Sequence, residues 1–229
     1  MAKYVFHVLT FERLTSDVIP GVFQLPSIES LVFPARLSLS GSRVGLLSHP
    51  DDFDLSLAPK AFQRDISFVY LAGRHGIKLS ITIYLNRLIT PNVLVIEFNS
   101  DHLQNEIIDL PFLRRLIAET VPVLRSNRAV VYAEADRPYE WPRAFLGPNE
   151  DYYGIQMGWI SYFGKALVDH LGIERFTSLK ACDEVVPIHD GLLVILTSEP
   201  FDPDNESHWE REAKAIEELG LRRFPKKYI

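Results

Sequence analysis

The chain has 229 residues, of which 47% are hydrophobic and 24% are charged. These are ordinary values for a globular protein, and a chain of this length can bury a core without disulfides or metals, so a folded protein is expected rather than a disordered one. The net charge of −6 disfavours nucleic acid as a partner, because nucleic-acid binding relies on basic faces, and it favours a basic protein. The single cysteine, Cys182, excludes an internal disulfide.

The N-terminal segment predicts neither secretion nor membrane insertion. Its apolar run is interrupted by His7 and then by Glu12 and Arg13, and no small-residue cleavage site follows. The sequence has no run of about 18 uncharged apolar residues. We therefore expect a cytoplasmic protein without a membrane partner.

The first quarter of the chain mixes strands with loops. Residues 3–11 are rich in β-branched and aromatic side chains and predict an opening strand, and the alternating residues 33–41 predict a second strand. Residues 12–63 contain five prolines, and outside the second strand we interpret them as long loops. Within these loops, we expect residues 49–59 to be exposed.

An antiparallel meander is the clearest signal in the sequence. Its three strands are predicted at residues 66–71, 77–85 and 93–98. The second strand alternates apolar with polar residues, which places Leu79, Ile81 and Ile83 on one buried face. Turn-forming residues separate the strands, so we expect neighbouring strands to pair.

A helix, a strand and a connector follow the meander. Apolar residues at helical spacing predict a helix over residues 109–125, with a kink or an early end at Pro122. Residues 128–135 predict another strand. Residues 137–154, which we call the aromatic connector, are rich in aromatic residues and proline.

The C-terminal part begins with a predicted short helix within residues 155–172 that ends at Gly172. Strands near residues 179–187 and 191–198 flank a turn at His189-Asp190-Gly191. The last helix begins at a capping residue, Asp204 or Asn205, and stops at Gly220. Its inward-facing residues are predicted to be Ala213, Ile216 and Leu219.

The order of these elements predicts an α+β fold with a mainly antiparallel sheet and helices packed on one side, because strands pair locally rather than through repeated βαβ units. We expect a single domain over residues 1–229. Within it, residues 1–136 and 150–229 are candidates for two similar-sized sub-units joined by the aromatic connector.

Catalytic templates are missing from the sequence. It contains no G-x-S-x-G, no phosphate-binding loop and no H-E-x-x-H, and its seven histidines stand singly. We therefore predict that the protein is not an enzyme and uses no metal or cofactor. The alternative is a small enzyme with a nucleophile system built from Cys182, His189 and Asp190. The structural interpretation of the same residues is a buried thiol and a turn.

Alternating carboxylates at Asp202, Asp204 and Glu206 resemble the start of a calcium loop. That loop requires glycine at its sixth position, where this chain has Ser207. The residues suit either an acidic first helical turn or a docking surface for a basic partner. We retain Asp202, Asp204 and Glu206 as candidate partner-binding residues.

The aromatic connector supplies candidate anchors for a protein partner. Tyrosine and tryptophan are enriched among interface hot spots. We therefore predict Trp141, Tyr152 and Tyr153 as partner-binding residues. The alternatives are that these rings fill the core, or that they form a homodimer interface of a structural protein. Acidic neighbours disfavour stacking on single-stranded nucleic acid.

Residues 152–219 carry a distinctive series of positions. These are Gly158-Trp159, Thr197, Glu199-Pro200-Phe201-Asp202, Asn205 and His208. The series resembles immunity proteins that bacteria encode beside polymorphic toxins, including toxins linked to type VI secretion. In that resemblance a Gly-Trp pair precedes an aromatic-containing helix, a strand and a final helix.

The resemblance implies an α+β binding protein without enzymatic activity. It implies that the partner is a cognate toxin, often a nuclease, which the immunity protein blocks by binding it. It covers only the C-terminal third of the chain, and toxin-contacting residues do not transfer because the contact surfaces differ between members.

Overall fold

The computed structural model describes residues 2–10, 12, 14–15, 18–39, 42–53, 66–84, 92–134 and 157–221. The chain divides into two compact units. The N-terminal unit comprises Phe6–Phe98 and Pro111–Ser126, and the C-terminal unit comprises Met1–Val5, Asn99–Leu110 and Asn127–Ile229. The aromatic connector, including Trp141, Tyr152 and Tyr153, lies outside the described residues.

Ten strands and seven α-helices lie within the described residues. The strands are β1 (Lys3–Thr10), β2 (Ala35–Leu39), β3 (Ser42–Leu47), β4 (Ile66–Ala72), β5 (Lys78–Tyr84), β6 (Asn92–Asn99), β7 (Arg128–Glu134), β8 (Ile160–Phe163), β9 (Glu184–Ile188) and β10 (Gly191–Ile195). The helices are α1 (Val18–Phe23), α2 (Pro26–Val32), α3 (Ser100–Gln104), α4 (Leu110–Leu124), α5 (Lys165–Leu171), α6 (Ile173–Thr177) and α7 (Glu206–Leu219). None of these helices is long and apolar enough to cross a membrane.

In the N-terminal unit, the strands are hydrogen-bonded in the order β3-β2-β4-β5-β6, and each of these pairs is antiparallel. The predicted meander is confirmed as β4, β5 and β6. Leu79, Ile81 and Ile83 are at most 1% exposed, as the period-2 pattern predicts. Val69 and Leu94 stand opposite Ile81 in the two ladders and are equally buried, so this face forms core.

The predicted loops of residues 12–63 are partly wrong, because α1, α2 and β3 occupy this region. Pro26 occupies the first turn of α2, where its missing N–H costs no helical hydrogen bond. Phe23 on α1 packs edge-on against Phe53 with ring centroids 5.2 Å apart. Of the segment 49–59 that was predicted to be exposed, Pro50 and Phe53 are buried, and residues 54–59 lie outside the described residues.

Helix α4 passes through Pro122 and ends two residues later, at Leu124. The Ser126 N–H donates to Val121 O at 2.9 Å and closes the end of the helix. Pro122 is exposed, so its ring points away from the buried face. The helix therefore tolerates the proline because only its last turn is affected.

In the C-terminal unit, the strands are hydrogen-bonded in the order β7-β8-β10-β9, again antiparallel. Strand β8 corrects the prediction of a helix after Trp159. All four residues of β8 are buried. The segment therefore shows no alternation between a buried and an exposed face, which is the pattern that would distinguish a strand from a helix. The predicted helix is shorter, as α5, and it ends at Gly172 as expected. These elements confirm an α+β fold with a mainly antiparallel sheet.

Helix α7 begins and ends where its capping residues predict. Asn205 is the N-cap, and Gly220 has φ 70°, a left-handed conformation that favours glycine. Its buried residues are Glu212, Ala215 and Leu219, whereas the predicted Ala213 and Ile216 are only half-buried. The buried face of α7 is therefore rotated about the helix axis relative to the predicted face.

Candidate partner-binding site

Hydrogen bonds join residues of the Gly-Trp series in the C-terminal unit. The Trp159 indole N–H donates to Thr197 O at 2.8 Å, and the Thr197 hydroxyl donates to Glu199 O at 2.7 Å. A Cβ on Gly158 would lie 2.5 Å from Val131 O, so this position requires glycine for close strand approach. These residues fix the path of the chain into α7.

The segment between β10 and α7 is held at several points. The Tyr4 hydroxyl donates to Phe201 O at 2.7 Å, and the Trp209 indole N–H donates to Pro203 O at 2.8 Å. The Asp202 N–H donates to His208 Nδ1 at 2.8 Å. The Phe201 and Trp209 rings pack edge-on with centroids 4.9 Å apart. The backbone beneath the predicted acidic residues therefore has a defined conformation.

Asp202, Asp204 and Glu206, which we call the acidic surface, are exposed at the start of α7. The Asp202 carboxylate accepts the Asp204 N–H at 2.9 Å, and the Asn205 side chain accepts the Ser207 N–H at 3.1 Å. Negative charge at a helix N-terminus is favoured by the helix dipole. The structure therefore brings these three predicted residues together on one short segment.

Tyr4 was not predicted from the sequence, because it stands 197 residues from its hydrogen-bond partner Phe201. Burial, with the charges of Asp202 and Asp204 acting in the same direction, raises the pKa of Tyr4 to about 12. The phenol therefore stays protonated at neutral pH and remains a donor to the backbone of the acidic surface.

Helix α7 is also fixed by charged side chains that the sequence did not reveal. Arg211 donates to the Asp183 carboxylate at 2.5 Å and to Leu196 O at 2.7 Å. Glu218 accepts the Lys180 N–H at 2.8 Å. Arg211 and Ser198 lower the pKa of the Asp183 carboxyl, with the arginine contributing more. These pairs join residues far apart in sequence, so no local pattern could have identified them.

The charge of the protein is divided unequally between its two units. The N-terminal unit contains eleven lysines and arginines and nine acidic residues. The C-terminal unit contains thirteen basic and twenty-one acidic residues. The acidic surface therefore belongs to a unit with an excess of eight negative charges.

Among the described residues, no group of three or more histidine, cysteine or acidic side chains is placed to hold a metal ion. The Asp202 carboxylate instead accepts a backbone N–H within its own segment.

The alternative catalytic residues are separated by strand β9. Cys182 precedes the strand and His189 follows it, and the strand alone extends over about 13 Å. Cys182 is half-buried rather than fully buried, and burial raises the pKa of its thiol, with Asp183 and Glu218 adding to the effect. Asp190 accepts a hydrogen bond from the Tyr162 hydroxyl at 3.1 Å. A nucleophile requires the opposite shift of the thiol pKa, and here the groups do not assemble.

Comparison with known proteins gives a likeness in structure alone. No family model matches the chain, and no curated protein matches its sequence. The fold is similar to that of the Pseudomonas aeruginosa T6SS protein PA0821, with a TM-score of 0.58 and 10% sequence identity. The match covers 96% of this chain and 75% of that protein. At this identity the likeness shows a shared fold.

Proposed function

We propose that this protein is an immunity-type protein that binds a cognate toxin through the acidic surface and neutralises it. The observation that carries the proposal is an exposed set of carboxylates on a backbone already fixed by Tyr4, His208 and Trp209. A surface that needs little ordering on binding loses less conformational entropy, so more of the contact energy appears as affinity.

The charge of the acidic surface suits a toxin that acts on nucleic acid. Such a toxin carries a basic face that neutralises phosphates, and an acidic protein surface complements that face. Opposite charges also steer the two proteins together and raise the association rate. Nuclease inhibition by occupation of the basic face is therefore the mechanism that we propose.

Two similarities, one of sequence and one of fold, support a link to type VI secretion. The sequence of residues 152–219 resembles immunity proteins that include members linked to type VI secretion, and the fold is similar to that of a protein named as a T6SS protein. We propose that the chain acts in the bacterial cytoplasm beside the product of a neighbouring toxin gene. The aromatic connector is proposed to supply anchors through Trp141, Tyr152 and Tyr153.

The first test is genetic. The product of the neighbouring gene, expressed alone in a bacterial host, is expected to stop growth, and co-expression of this protein is expected to restore it. A harmless neighbour, or a toxic neighbour that this protein fails to neutralise, would contradict the proposal.

The second test uses purified toxin and association kinetics at two salt concentrations. The triple variant Asp202→Asn, Asp204→Asn and Glu206→Gln is expected to associate more slowly than the wild type at low salt, with a flatter salt dependence. The matched control neutralises three exposed acids of the N-terminal unit, Glu12, Glu29 and Asp51. Equal association rates for the two triple variants would show that the acidic surface is not part of the interface with the toxin.

A further inference from the structure

The imidazole of His208 accepts a hydrogen bond from the backbone beneath the acidic surface. The Asp202 N–H donates to His208 Nδ1 at 2.8 Å, and the ring packs against the Phe201 ring with centroids 5.3 Å apart. A ring nitrogen that accepts a hydrogen bond carries no proton, so the proton of the neutral ring lies on Nε2. The contact therefore requires a neutral imidazole in one defined tautomer.

A proton breaks this hydrogen bond. Protonation of His208 places an N–H on Nδ1, and two donors then face each other, so the ring must turn away from the Asp202 N–H. The other contacts of the segment lack this sensitivity, because the Trp209 indole is a donor only and the pKa of Tyr4 is about 12. His208 is therefore the contact of this segment that responds to pH near neutrality.

The ionisable groups around His208 come from three parts of the C-terminal unit. They are Asp202, Asp204 and Glu206 of the acidic surface, Arg211 and Glu212 one turn further along α7, and Tyr4 of β1, whose hydroxyl donates to Phe201 O. The charge of Arg211 is already paired with the Asp183 carboxylate. The exposed carboxylates attract an imidazolium, whereas the N-terminal end of the helix dipole repels it. A protonated ring therefore gains by turning from the backbone towards the carboxylates.

We propose that the hydrogen bond from the Asp202 N–H to His208 Nδ1 is a pH-sensitive latch on the acidic surface. The neutral imidazole closes the latch, and protonation of the ring opens it. The open ring adds a positive charge beside the carboxylates and leaves the Asp202 N–H without its acceptor. The surface then has less negative charge to steer a basic partner and more freedom to lose on binding.

The consequence for the partner rests on the proposed function, since it states that acidification weakens toxin binding. The latch itself involves no toxin and can be measured in the full chain alone. The two parts therefore have separate tests.

The first test is NMR of the full chain at about pH 7.5 and about pH 5.5, the interval in which imidazoles ordinarily titrate. At the higher pH, proton–nitrogen correlation spectra are expected to show a proton on His208 Nε2 and none on Nδ1. On acidification, the protection of the Asp202 amide against hydrogen exchange is expected to fall about tenfold, because one hydrogen bond is lost. Protection is expressed relative to the unfolded chain at the same pH.

Two controls isolate the latch. The Ser207 N–H of the same segment donates to the Asn205 side chain at 3.1 Å, and this acceptor does not titrate, so the Ser207 amide is expected to keep its protection. His208→Asn retains an acceptor oxygen close to the backbone and does not titrate, so the Asp202 amide is expected to show the same protection at both pH values in this variant.

Several results would overturn the latch. These are a proton on Nδ1 at the higher pH, an Asp202 amide whose protection is unchanged by acidification, or equal losses of protection at Asp202 and Ser207.

The second test measures affinity for the purified toxin at the same two pH values. The wild type is expected to lose about fivefold or more in affinity on acidification relative to His208→Asn. Equal losses in the two proteins would overturn the regulation of toxin binding. A toxin that binds at neither pH would contradict the proposed function instead, and the NMR measurements would still decide whether the latch exists.

Discussion

His7 makes the stability of this protein depend on pH in a defined window. The residue lies in β1 and is only 8% exposed, and burial lowers the pKa of its imidazole from 6.5 to about 4. Above pH 6.5 the ring is neutral in both the folded and the unfolded state. Between that value and about pH 4, the unfolded chain binds a proton that the folded chain does not bind. The contribution of His7 to the free energy of unfolding therefore decreases as the pH decreases through this window.

The size of the effect follows from the shift. One pKa unit corresponds to about 1.4 kcal/mol, so the full shift corresponds to a loss of about 3 kcal/mol below pH 4. About 2 kcal/mol of this loss is expected between about pH 7 and about pH 5. That interval lies above the ordinary pKa of aspartate, so titration of carboxylates such as Asp183 contributes little there.

Urea unfolding at these two pH values measures the loss. His7→Gln removes the titrating ring and is expected to flatten the pH dependence, and His170→Gln, which replaces an exposed histidine of α5, is the matched control for the substitution itself. NMR titration of the His7 ring in the folded protein gives an independent measure, with an expected midpoint near pH 4. A midpoint near 6.5, or an equal pH dependence in wild type and His7→Gln, would refute the reasoning.

Core, motif and anchor residues give three further expectations. Ile81→Ala is expected to lower the free energy of unfolding by about 2–5 kcal/mol, and Thr82→Ala, on the half-buried face, by less than about 0.5 kcal/mol; urea unfolding compares the two. Trp159→Phe leaves the buried Thr197 carbonyl without its indole donor and is expected to cost about 1–3 kcal/mol; a smaller loss would mean that water replaces the donor. Trp141→Ala is expected to speed toxin dissociation by an equivalent of about 2 kcal/mol in binding energy, and an unchanged dissociation rate would exclude it as an anchor.

The candidate site was only partly predictable. The acidic surface could be found from the sequence, since Asp202, Asp204 and Glu206 are close neighbours before a helix. The separation of Cys182 from His189 became visible only with the bounds of β9, because seven residues span a short distance in a turn and a long one in a strand. The contribution of Tyr4 depends on a contact across 197 residues, for which the sequence has no local signal.

The sequence by itself determined the elements whose signals are local. The alternation of Leu79, Ile81 and Ile83 specified one buried face of β5, and Asn205 and Gly220 specified the ends of α7, because backbone geometry and capping act over a few residues. Only the tertiary structure decided that residues 160–163 form β8. A short segment that is buried on every side shows no alternation of apolar and polar residues from which a strand could be predicted. Likewise, only the tertiary structure paired Arg211 with Asp183, because an ion pair between distant residues depends on how the chain packs and not on its local pattern.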